Sequence, residues 1–157
     1  MASQDNPVVC SLVREHARAA FRFLNEDEVE RLCPYLALRQ VPAETVLMRE
    51  GEGGNLMGFL LRGKLAVKKE TSFAGKHILL AILEPGTMVG EVSVVARSPR
   101  NATVVAMEES TLLELTDAGF ERFLELNPAL GVRLLRHIVH VVSLRLRNAD
   151  DRLALLL

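Results

Sequence analysis

Residues 90–104 read GEVSVVARSPRNATV, and the rest of the chain is organised around this stretch. Its glycine, Gly90, can take a positive φ or let the backbone approach a ligand closely. Backbone N–H groups at the start of a short helix form a concavity that suits an anion. Arg100, held just after a proline, can donate to two oxygens of one phosphate. Glu91 only accepts when it is ionised, so it suits a hydroxyl group beside the phosphate.

The sequence on both sides of this stretch predicts a β-rich body. Short runs of apolar and β-branched residues alternate with glycine or proline turns at nearly regular intervals. This spacing is typical of a small antiparallel barrel or roll. The predicted strands are residues 36–41, 45–49, 56–61, 64–69, 77–83, 102–107 and 111–115.

Helical patterns precede the β-rich body. Residues 7–24 carry apolar side chains at helical spacing and arginines between them, which predicts an amphipathic helix. Asn25 lies three residues before Glu28, and this capping-box arrangement opens a short second helix. Pro34 is expected to end it. We expect both helices, over about residues 8–33, to pack on the body of the fold.

Two further helices follow the β-rich body. Thr116 can cap a helix over residues 117–126, and Pro128 stands at a favoured first position for a last helix that runs to residue 153. At 100° steps the last helix has a narrow polar stripe and a wide apolar face. The polar stripe is Arg133, Arg136, His137, His140, Ser143 and Arg147, and the apolar face is Leu134, Leu135, Ile138, Val141, Val142, Leu146, Ala149 and Leu153.

One charged residue interrupts the apolar face of the last helix. Arg145 lies between Val141, Val142 and Ala149 on the helical projection. A charge in an apolar setting is costly unless it is paired or solvated. Arg145 therefore either contacts a ligand, forms a salt bridge within a dimer, or extends its charged end to solvent.

The pattern G-E-x-S at residues 90–93, followed by P-R-x-A-T-V at residues 99–104, resembles the phosphate-binding cassette of the cyclic-nucleotide-binding domain family. The matching positions are Gly90, Glu91, Pro99, Arg100, Ala102 and Thr103, while Ser93 and Asn101 depart from the common pattern. The glycine-punctuated hairpins EGEGGNLMGFLLRGKLAV and LEPGTMVGEV are also similar to that family, so the resemblance covers residues 25–146. It implies an α+β fold: an antiparallel, jelly-roll-like β-roll (a double-stranded β-helix) over about residues 35–115, with N-terminal helices and a long C-terminal helix.

The resemblance also implies roles for residues of the cassette. Arg100 would bind the cyclic phosphate, and Glu91 would accept from the ribose 2′-hydroxyl. The alternatives are an ion pair for Arg100, a local pair with Arg100 for Glu91, and a turn glycine at Gly90. The remaining expected ligand contacts, from the cassette and from the last helix over the base, are Gly90, Val92, Ser93, Asn101, Ala102, Thr103, Ser143 and Arg145.

These roles predict a single domain over residues 1–157 that senses a cyclic nucleotide and signals through movement of its C-terminal helix. Cyclic AMP is the expected ligand, and the departure at Asn101 leaves cyclic GMP open. The second hypothesis is an interaction scaffold that keeps the cassette but binds a protein or another ligand. No nucleophile, metal-ligand or dinucleotide motif indicates an enzyme. The apolar helix face predicts a homodimer, a protein effector would take up the signal, and we expect no direct DNA binding.

Composition sets the remaining expectations. Among the 157 residues 49% are hydrophobic and 25% charged, with a net charge of −1, so no overall field attracts nucleic acid. Cys10 and Cys33 show no metal-ligand or redox spacing, so we expect free thiols in a cytoplasmic protein. Residues 1–7 lack the pattern of a signal peptide, and no apolar run reaches membrane-spanning length. His137 and His140 lie one turn apart without a third ligand, which favours a solvated surface and no metal.

Overall fold

The computed structural model describes residues 7–157, apart from the side chains of residues 17–19. The expectation about a signal peptide therefore falls mostly on residues outside the described range. In chain order the described elements are α1 (Pro7–Ala20), α2 (Glu26–Leu32), a 3₁₀ turn (Cys33–Tyr35), β1 (Leu36–Val41), β2 (Val46–Met48), β3 (Leu56–Arg62), β4 (Leu65–Glu70), β5 (His77–Leu83), β6 (Met88–Val89), α3 (Glu91–Ala96), β7 (Thr103–Ala106), β8 (Ser110–Thr116), α4 (Asp117–Leu126) and α5 (Pro128–Ala154).

The strands of the described chain form two four-stranded antiparallel sheets. One has the order β1-β8-β3-β6 and the other the order β2-β7-β4-β5. In the first sheet Leu36 lies opposite Leu115, and in the second Leu65 lies opposite Leu83. The expected antiparallel β-roll is confirmed, together with the helices that flank it.

Two apolar clusters result from the alternation of side chains along the strands. Leu60 and Leu112 point into the space between the two sheets, where they meet Leu65 and Val104 of the second sheet. Their neighbours Phe59 and Leu113 belong to a second cluster, which also contains buried residues of α1, α2, α4 and α5. Since the first sheet is covered on both faces, five of the seven residues of β3 are buried.

The predicted strands agree closely with the structure. β1 and β5 have the predicted bounds, and the other predicted strands differ by one or two residues at their ends. β6 was not predicted, because two residues are too few to show an alternating pattern. It pairs with Gly58 and Phe59 of β3 and leads the chain directly into the cassette.

The predicted helix caps are confirmed. Asn25 Oδ1 accepts from the Glu28 amide at 2.9 Å, and the Asn25 amide donates to the Glu28 carboxylate at 2.8 Å. Thr116 Oγ1 accepts from the Gly119 amide at 3.0 Å and so caps α4. α1 ends at Ala20 and not at residue 24, because the chain turns there and buries Phe21 against Phe59, with their ring centroids 4.7 Å apart.

The expectation of two free thiols is wrong. Cys10 of α1 and Cys33 of the 3₁₀ turn form a disulfide, with their Cα atoms 5.6 Å apart. Cys33 is buried and Cys10 half-buried at the packing of α1 on α2 and the 3₁₀ turn. The cytoplasmic expectation loses this support, because disulfides are rare in that compartment.

The last helix does not present one continuous apolar face to the body of the fold. Its buried residues, which include Leu134 and Ile138, all lie in its N-terminal half. Beyond Ile138 the helix extends along the β-roll, and several apolar side chains of its predicted face, among them Leu146 and Leu153, are exposed. The wide apolar face therefore divides into a buried part and an exposed part.

His137 corrects the expectation of a solvated polar stripe. Its ring is half-buried and stacks on Phe23, with the ring centroids 3.9 Å apart. Burial lowers the pKa of His137, and the nearby His140 lowers it further. Among the described residues, no group of three or more histidine, cysteine, aspartate or glutamate side chains is arranged to hold a metal ion. No described helix has the length and hydropathy needed to cross a bilayer.

Reduction of the disulfide should destabilise the protein. The bond closes a loop with a sequence separation of 23 residues, and loop-closure entropy predicts a loss of about 3 kcal/mol in the free energy of unfolding. Urea denaturation with and without dithiothreitol measures this loss. The double variant Cys10→Ala/Cys33→Ala should be insensitive to the reductant, and a wild-type protein equally insensitive would contradict the disulfide.

The lowered pKa of His137 should make stability depend on pH. The His137 ring binds a proton less readily in the folded protein than in the unfolded chain, where its pKa has the ordinary value of 6.5. The contribution of His137 to the free energy of unfolding is therefore complete above pH 6.5. It is lost as the pH falls toward the pKa of the folded state. Urea denaturation between pH 7.5 and 5.5 should give a smaller decrease for His137→Gln than for the wild type. An equal decrease in His137→Gln and the wild type would contradict this role of His137.

Candidate functional site

The cassette begins at Gly90, a position that only glycine can occupy. Gly90 has φ +77° and directly precedes the single-turn helix α3. A Cβ at this position would lie 2.6 Å from Arg100 Nη1 and 2.9 Å from the Leu56 carbonyl oxygen. Both the backbone conformation and the lack of space therefore require glycine here.

The guanidinium of Arg100 is buried within the cassette. The residue is 7% exposed, Nη1 donates to the Gly90 carbonyl at 3.0 Å, and Nη2 donates to the Leu56 carbonyl at 2.7 Å. Burial lowers the pKa of Arg100, and the charge of Glu91 acts in the opposite direction. Arginine stays charged in proteins, so a fixed cation lies between the start of β3 and the start of α3.

The backbone around Arg100 is held from the opposite loop. The Arg100 amide donates to the Glu52 carbonyl at 2.8 Å, and the Gly51 amide donates to the Arg100 carbonyl at 2.8 Å. Gly54 of the same loop lies against the guanidinium, since a Cβ there would approach Arg100 Cζ to 2.9 Å and Ser93 Cβ to 2.5 Å. The loop before β3 thus fixes both the backbone and the side chain of Arg100.

Glu91, the first residue of α3, is 1% exposed and pairs with Arg145 of α5. Nη1 of Arg145 donates to Glu91 Oε1, and Nη2 donates to the Met88 carbonyl at 2.6 Å. One guanidinium therefore spans the bend at Gly90, with one contact before it and one after it. The sequence identified Arg145 as unusual, but its partner in this structure is the cassette acid of the same chain.

The other predicted cassette residues have different environments. Ser93 is buried and its hydroxyl lies 3.4 Å from the Pro99 carbonyl. Thr103 Oγ1 accepts from the Glu50 amide at 3.0 Å, which ties β7 to the end of β2. Ala102 is buried. Asn101 is exposed, and its backbone carbonyl accepts a hydrogen bond from Lys69 Nζ at 2.8 Å. Val92 is partly buried within α3.

The structure brings the predicted residues of 90–103 together but leaves Ser143 apart. Ser143 is exposed on α5, two residues before Arg145. The sequence analysis did not predict a role for Gly54, Leu56 or Met88. The carbonyls of Leu56 and Met88 accept hydrogen bonds from Arg100 and Arg145, respectively. A sequence pattern does not show which backbone carbonyls accept hydrogen bonds from an arginine. The role of Gly54 becomes visible only when the structure shows that Arg100 lies against it.

Two surface cavities lie near the cassette. One, of about 450 Å³, is lined by Gly53, Gly54, Ser93, Arg97, Ser98, Pro99 and Asp117. The other, of about 390 Å³, is lined by Arg49, Glu50, Lys68, Glu70, His77, Thr103 and Val105. Neither lining includes Glu91, Arg100 or Arg145. Glu91 and Arg100 are both buried in this structure, whereas Arg145 is partly exposed.

The comparison with protein families agrees with this geometry. A model of the cyclic nucleotide-binding domain matches residues 38–127, which is more than half of the chain and includes the whole cassette. The chain belongs to this family. As a member of the cyclic nucleotide-binding domain family, it has this domain over residues 38–127, a range that includes residues 90–104.

Similar proteins have the same fold. The cyclic AMP receptor protein of Thermus thermophilus is 28% identical over 136 residues, which are 87% of this chain and 61% of that protein. The crystal structure of the Thermus thermophilus catabolite activator protein matches with a TM-score of 0.73 and 28% identity, over 88% of this chain and 62% of that one. A cyclic nucleotide-binding domain from Methylobacillus flagellatus matches with a TM-score of 0.82 and 23% identity, over 89% and 83%. The chain thus spans about three fifths of the Thermus proteins.

Proposed function

We propose that this chain is a sensor module that binds cyclic AMP at Arg100 and Glu91 and transmits binding through α5. The observation that carries this is a buried, permanently charged guanidinium next to a buried carboxylate, behind a glycine with positive φ. Such a pair can hold an anionic phosphodiester and a neighbouring hydroxyl together. The cyclic nucleotide is the family's ligand class, and the name of the Thermus receptor supports cyclic AMP.

The donor inventory of Arg100 supports the phosphate role. A guanidinium has five N–H donors in one plane, and the Gly90 and Leu56 carbonyls use one donor on each terminal nitrogen. The remaining donors are available to two phosphate oxygens. In this proposal Glu91 accepts from the ribose 2′-hydroxyl. The remaining proposed ligand contacts are Gly90, Val92, Ser93, Asn101, Ala102 and Thr103, with Arg145 and Ser143 toward the base.

We propose a binding module and not an enzyme, because the family is defined by the binding of cyclic nucleotides. Cyclic GMP is the second ligand to test, because Asn101 departs from the common cassette pattern and its side chain is exposed. We place the module in the cytoplasm with a protein effector on α5. Nucleotide ligands support that location, whereas the disulfide opposes it. DNA binding is not part of this proposal.

Substitution of Arg100 tests the phosphate site. Arg100→Ala should weaken cyclic AMP binding at least 10-fold, because losing one charge-assisted contact costs about 1.5–3 kcal/mol. Arg100→Lys should recover affinity only in part, since an ammonium cannot donate two parallel hydrogen bonds. Isothermal titration calorimetry measures the affinities, and thermal melting shows whether each variant is folded.

The matched control is Arg97→Ala, which removes an exposed arginine of the same cassette that pairs with Glu121 at 3.0 Å. Its affinity should stay within about twofold of the wild type, as expected for an exposed ion pair. Unchanged cyclic AMP affinity in a folded Arg100→Ala variant would refute the phosphate role. A wild-type melting curve indifferent to cyclic AMP, cyclic GMP and AMP would favour the interaction scaffold instead.

We propose further that α5 forms the seam of a homodimer. Val132, Val139, Leu146 and Leu153 repeat every seven residues, and each is between 50% and 64% exposed. A seven-residue apolar repeat on a continuous helix is the pattern of a left-handed coiled coil. A second copy of the same helix supplies the complementary repeat, so it is the occupant that this seam fits.

A charge in the seam should separate the dimer. Leu146→Lys places an ammonium at an exposed position, so the fold should survive while the seam is disrupted. Analytical ultracentrifugation should show a dimer for the wild type and a monomer for this variant at micromolar concentration. Asn148→Lys, an exposed substitution two residues away and off the repeat, should remain dimeric. A wild-type monomer with and without cyclic AMP would exclude the seam.

A further inference from the structure

A lysine of β4 is tied to the backbone of the cassette. Nζ of Lys69 donates to the Asn101 carbonyl at 2.8 Å and to Glu50 Oε1 at 2.6 Å. Leu65 is buried in the apolar cluster between the two sheets, and Val67 packs against the same cluster. Since side chains alternate along a strand, Lys69 continues this row at the end of β4. Its ammonium thus ends an apolar row and reaches two polar partners, one of them in the cassette.

Glu50, two residues after the end of β2, reaches the same point from another segment. Its Oε2 accepts from the Glu70 amide at 2.9 Å, and its own amide donates to Thr103 Oγ1 at 3.0 Å. The Glu70 amide and then Lys69 lower the pKa of Glu50, so its carboxylate is charged at neutral pH. Glu50 and Lys69 therefore connect the ends of β2 and β4 with the start of β7.

These contacts adjoin the hydrogen bonds that hold the backbone of Arg100. The Arg100 amide and carbonyl bond to the Glu52 carbonyl and the Gly51 amide, each at 2.8 Å. The Asn101 carbonyl belongs to the next residue, and it is the one that Lys69 holds. The main chain is thus fixed at Arg100 and directly after it. Where this main chain lies determines where the Arg100 side chain begins.

The contact of Lys69 differs from an ordinary exposed ion pair. Arg97 and Glu121 join two exposed side chains, and such pairs contribute little to stability. Lys69 and Glu50 are only partly exposed, at 44% and 26% of their side chains. The Lys69 ammonium also bonds to the main chain, which cannot leave by a change of side-chain rotamer. Loss of Lys69 should therefore loosen the cassette itself.

We propose that Lys69, held by Glu50, is a positioning residue for the phosphate site, because it fixes the main chain directly after Arg100. This rests on the proposed function, since it takes Arg100 as the phosphate ligand. Asn101 and Glu50 use two of the three donors of the Lys69 ammonium, so the role requires no contact with the nucleotide. Holding a binding group in its bound geometry raises affinity by lowering the cost of ordering it on binding.

Substitution of Lys69 tests the positioning role. Lys69→Met keeps most of the side-chain length and removes the donors, so cyclic AMP affinity should fall about 3- to 10-fold, less than in Arg100→Ala. Lys69→Arg should bind more tightly than Lys69→Met, because a guanidinium can also donate to a carboxylate and a carbonyl. Isothermal titration calorimetry measures the affinities, and thermal melting shows whether each variant is folded.

The matched control is Lys68→Met, which removes the same charge one residue earlier on β4. Lys68 takes no part in the hydrogen bonds of Lys69 and lines the cavity of about 390 Å³. The affinity of this variant should stay within about twofold of the wild type, as expected when an exposed charge is lost. An equal loss in Lys68→Met and Lys69→Met would show a general effect of charge and overturn the positioning role.

A double-mutant cycle separates positioning from a direct contact with the ligand. If Lys69 acts through Arg100, the effect of Lys69→Met should shrink to less than about twofold in the Arg100→Ala background. An equal loss in both backgrounds would make Lys69 an independent ligand contact and overturn its positioning role. Unchanged affinity in a folded Lys69→Met variant would overturn it as well.

Hydrogen exchange of residues 100–104 gives a readout that does not depend on affinity. These residues should exchange faster in Lys69→Met than in the wild type and in Lys68→Met, with and without cyclic AMP. Equal rates would exclude the hold on the cassette, and this comparison decides the matter if Arg100→Ala binds too weakly to measure. Wild-type affinity in Arg100→Ala would refute the proposed function, and the positioning role with it. A loss in Arg100→Ala without one in Lys69→Met would refute the positioning role alone.

Discussion

The buried guanidinium of Arg100 is the constraint on which the cassette depends. Burying a cation is costly unless it has hydrogen-bond partners, and the carbonyls of Gly90 and Leu56 accept from two of its five donors. Arg100 lies against both Gly54 and Gly90, and together with Ser93 at the first glycine and the Leu56 carbonyl at the second it leaves no room for a side chain. The bend at Gly90 in turn places Glu91 at the start of α3.

The sequence predicted most of the fold because its signals are local. Glycine and proline turns bound β1 and β5 correctly, and the caps at Asn25 and Thr116 fixed the starts of two helices. β6 was missed because two residues carry no periodicity. The disulfide was missed because the prediction of free thiols relied on the cellular compartment. Only the packing of α1 beside the 3₁₀ turn shows that the two cysteines are close to each other.

The site was predicted unevenly for a related reason. Glu91 and Arg100 could be proposed as site residues from the pattern of one short segment, residues 90–104, which resembles the family's cassette. A helical projection showed that Arg145 is out of place among apolar neighbours, but it cannot show what lies opposite. Its partner is 54 residues away in the chain, and the contact depends on where α5 crosses the end of β6. The same projection could not show that the last fully buried residue is Ile138 and that, beyond the partly buried Val141 and Val142, much of the apolar face is exposed.

That end of burial has a mechanical consequence. Ala154 lies 16 residues beyond Ile138, which corresponds to about 24 Å of helix at a rise of about 1.5 Å per residue. The segment of α5 beyond Ile138 is joined at one end to the part of the helix that packs in the apolar core. Most of the rest of this segment is exposed. A tilt of about 10° at Ile138 carries the tip through about 4 Å at this length. A small change in the angle of α5 is thus amplified into a larger displacement at its C-terminal end.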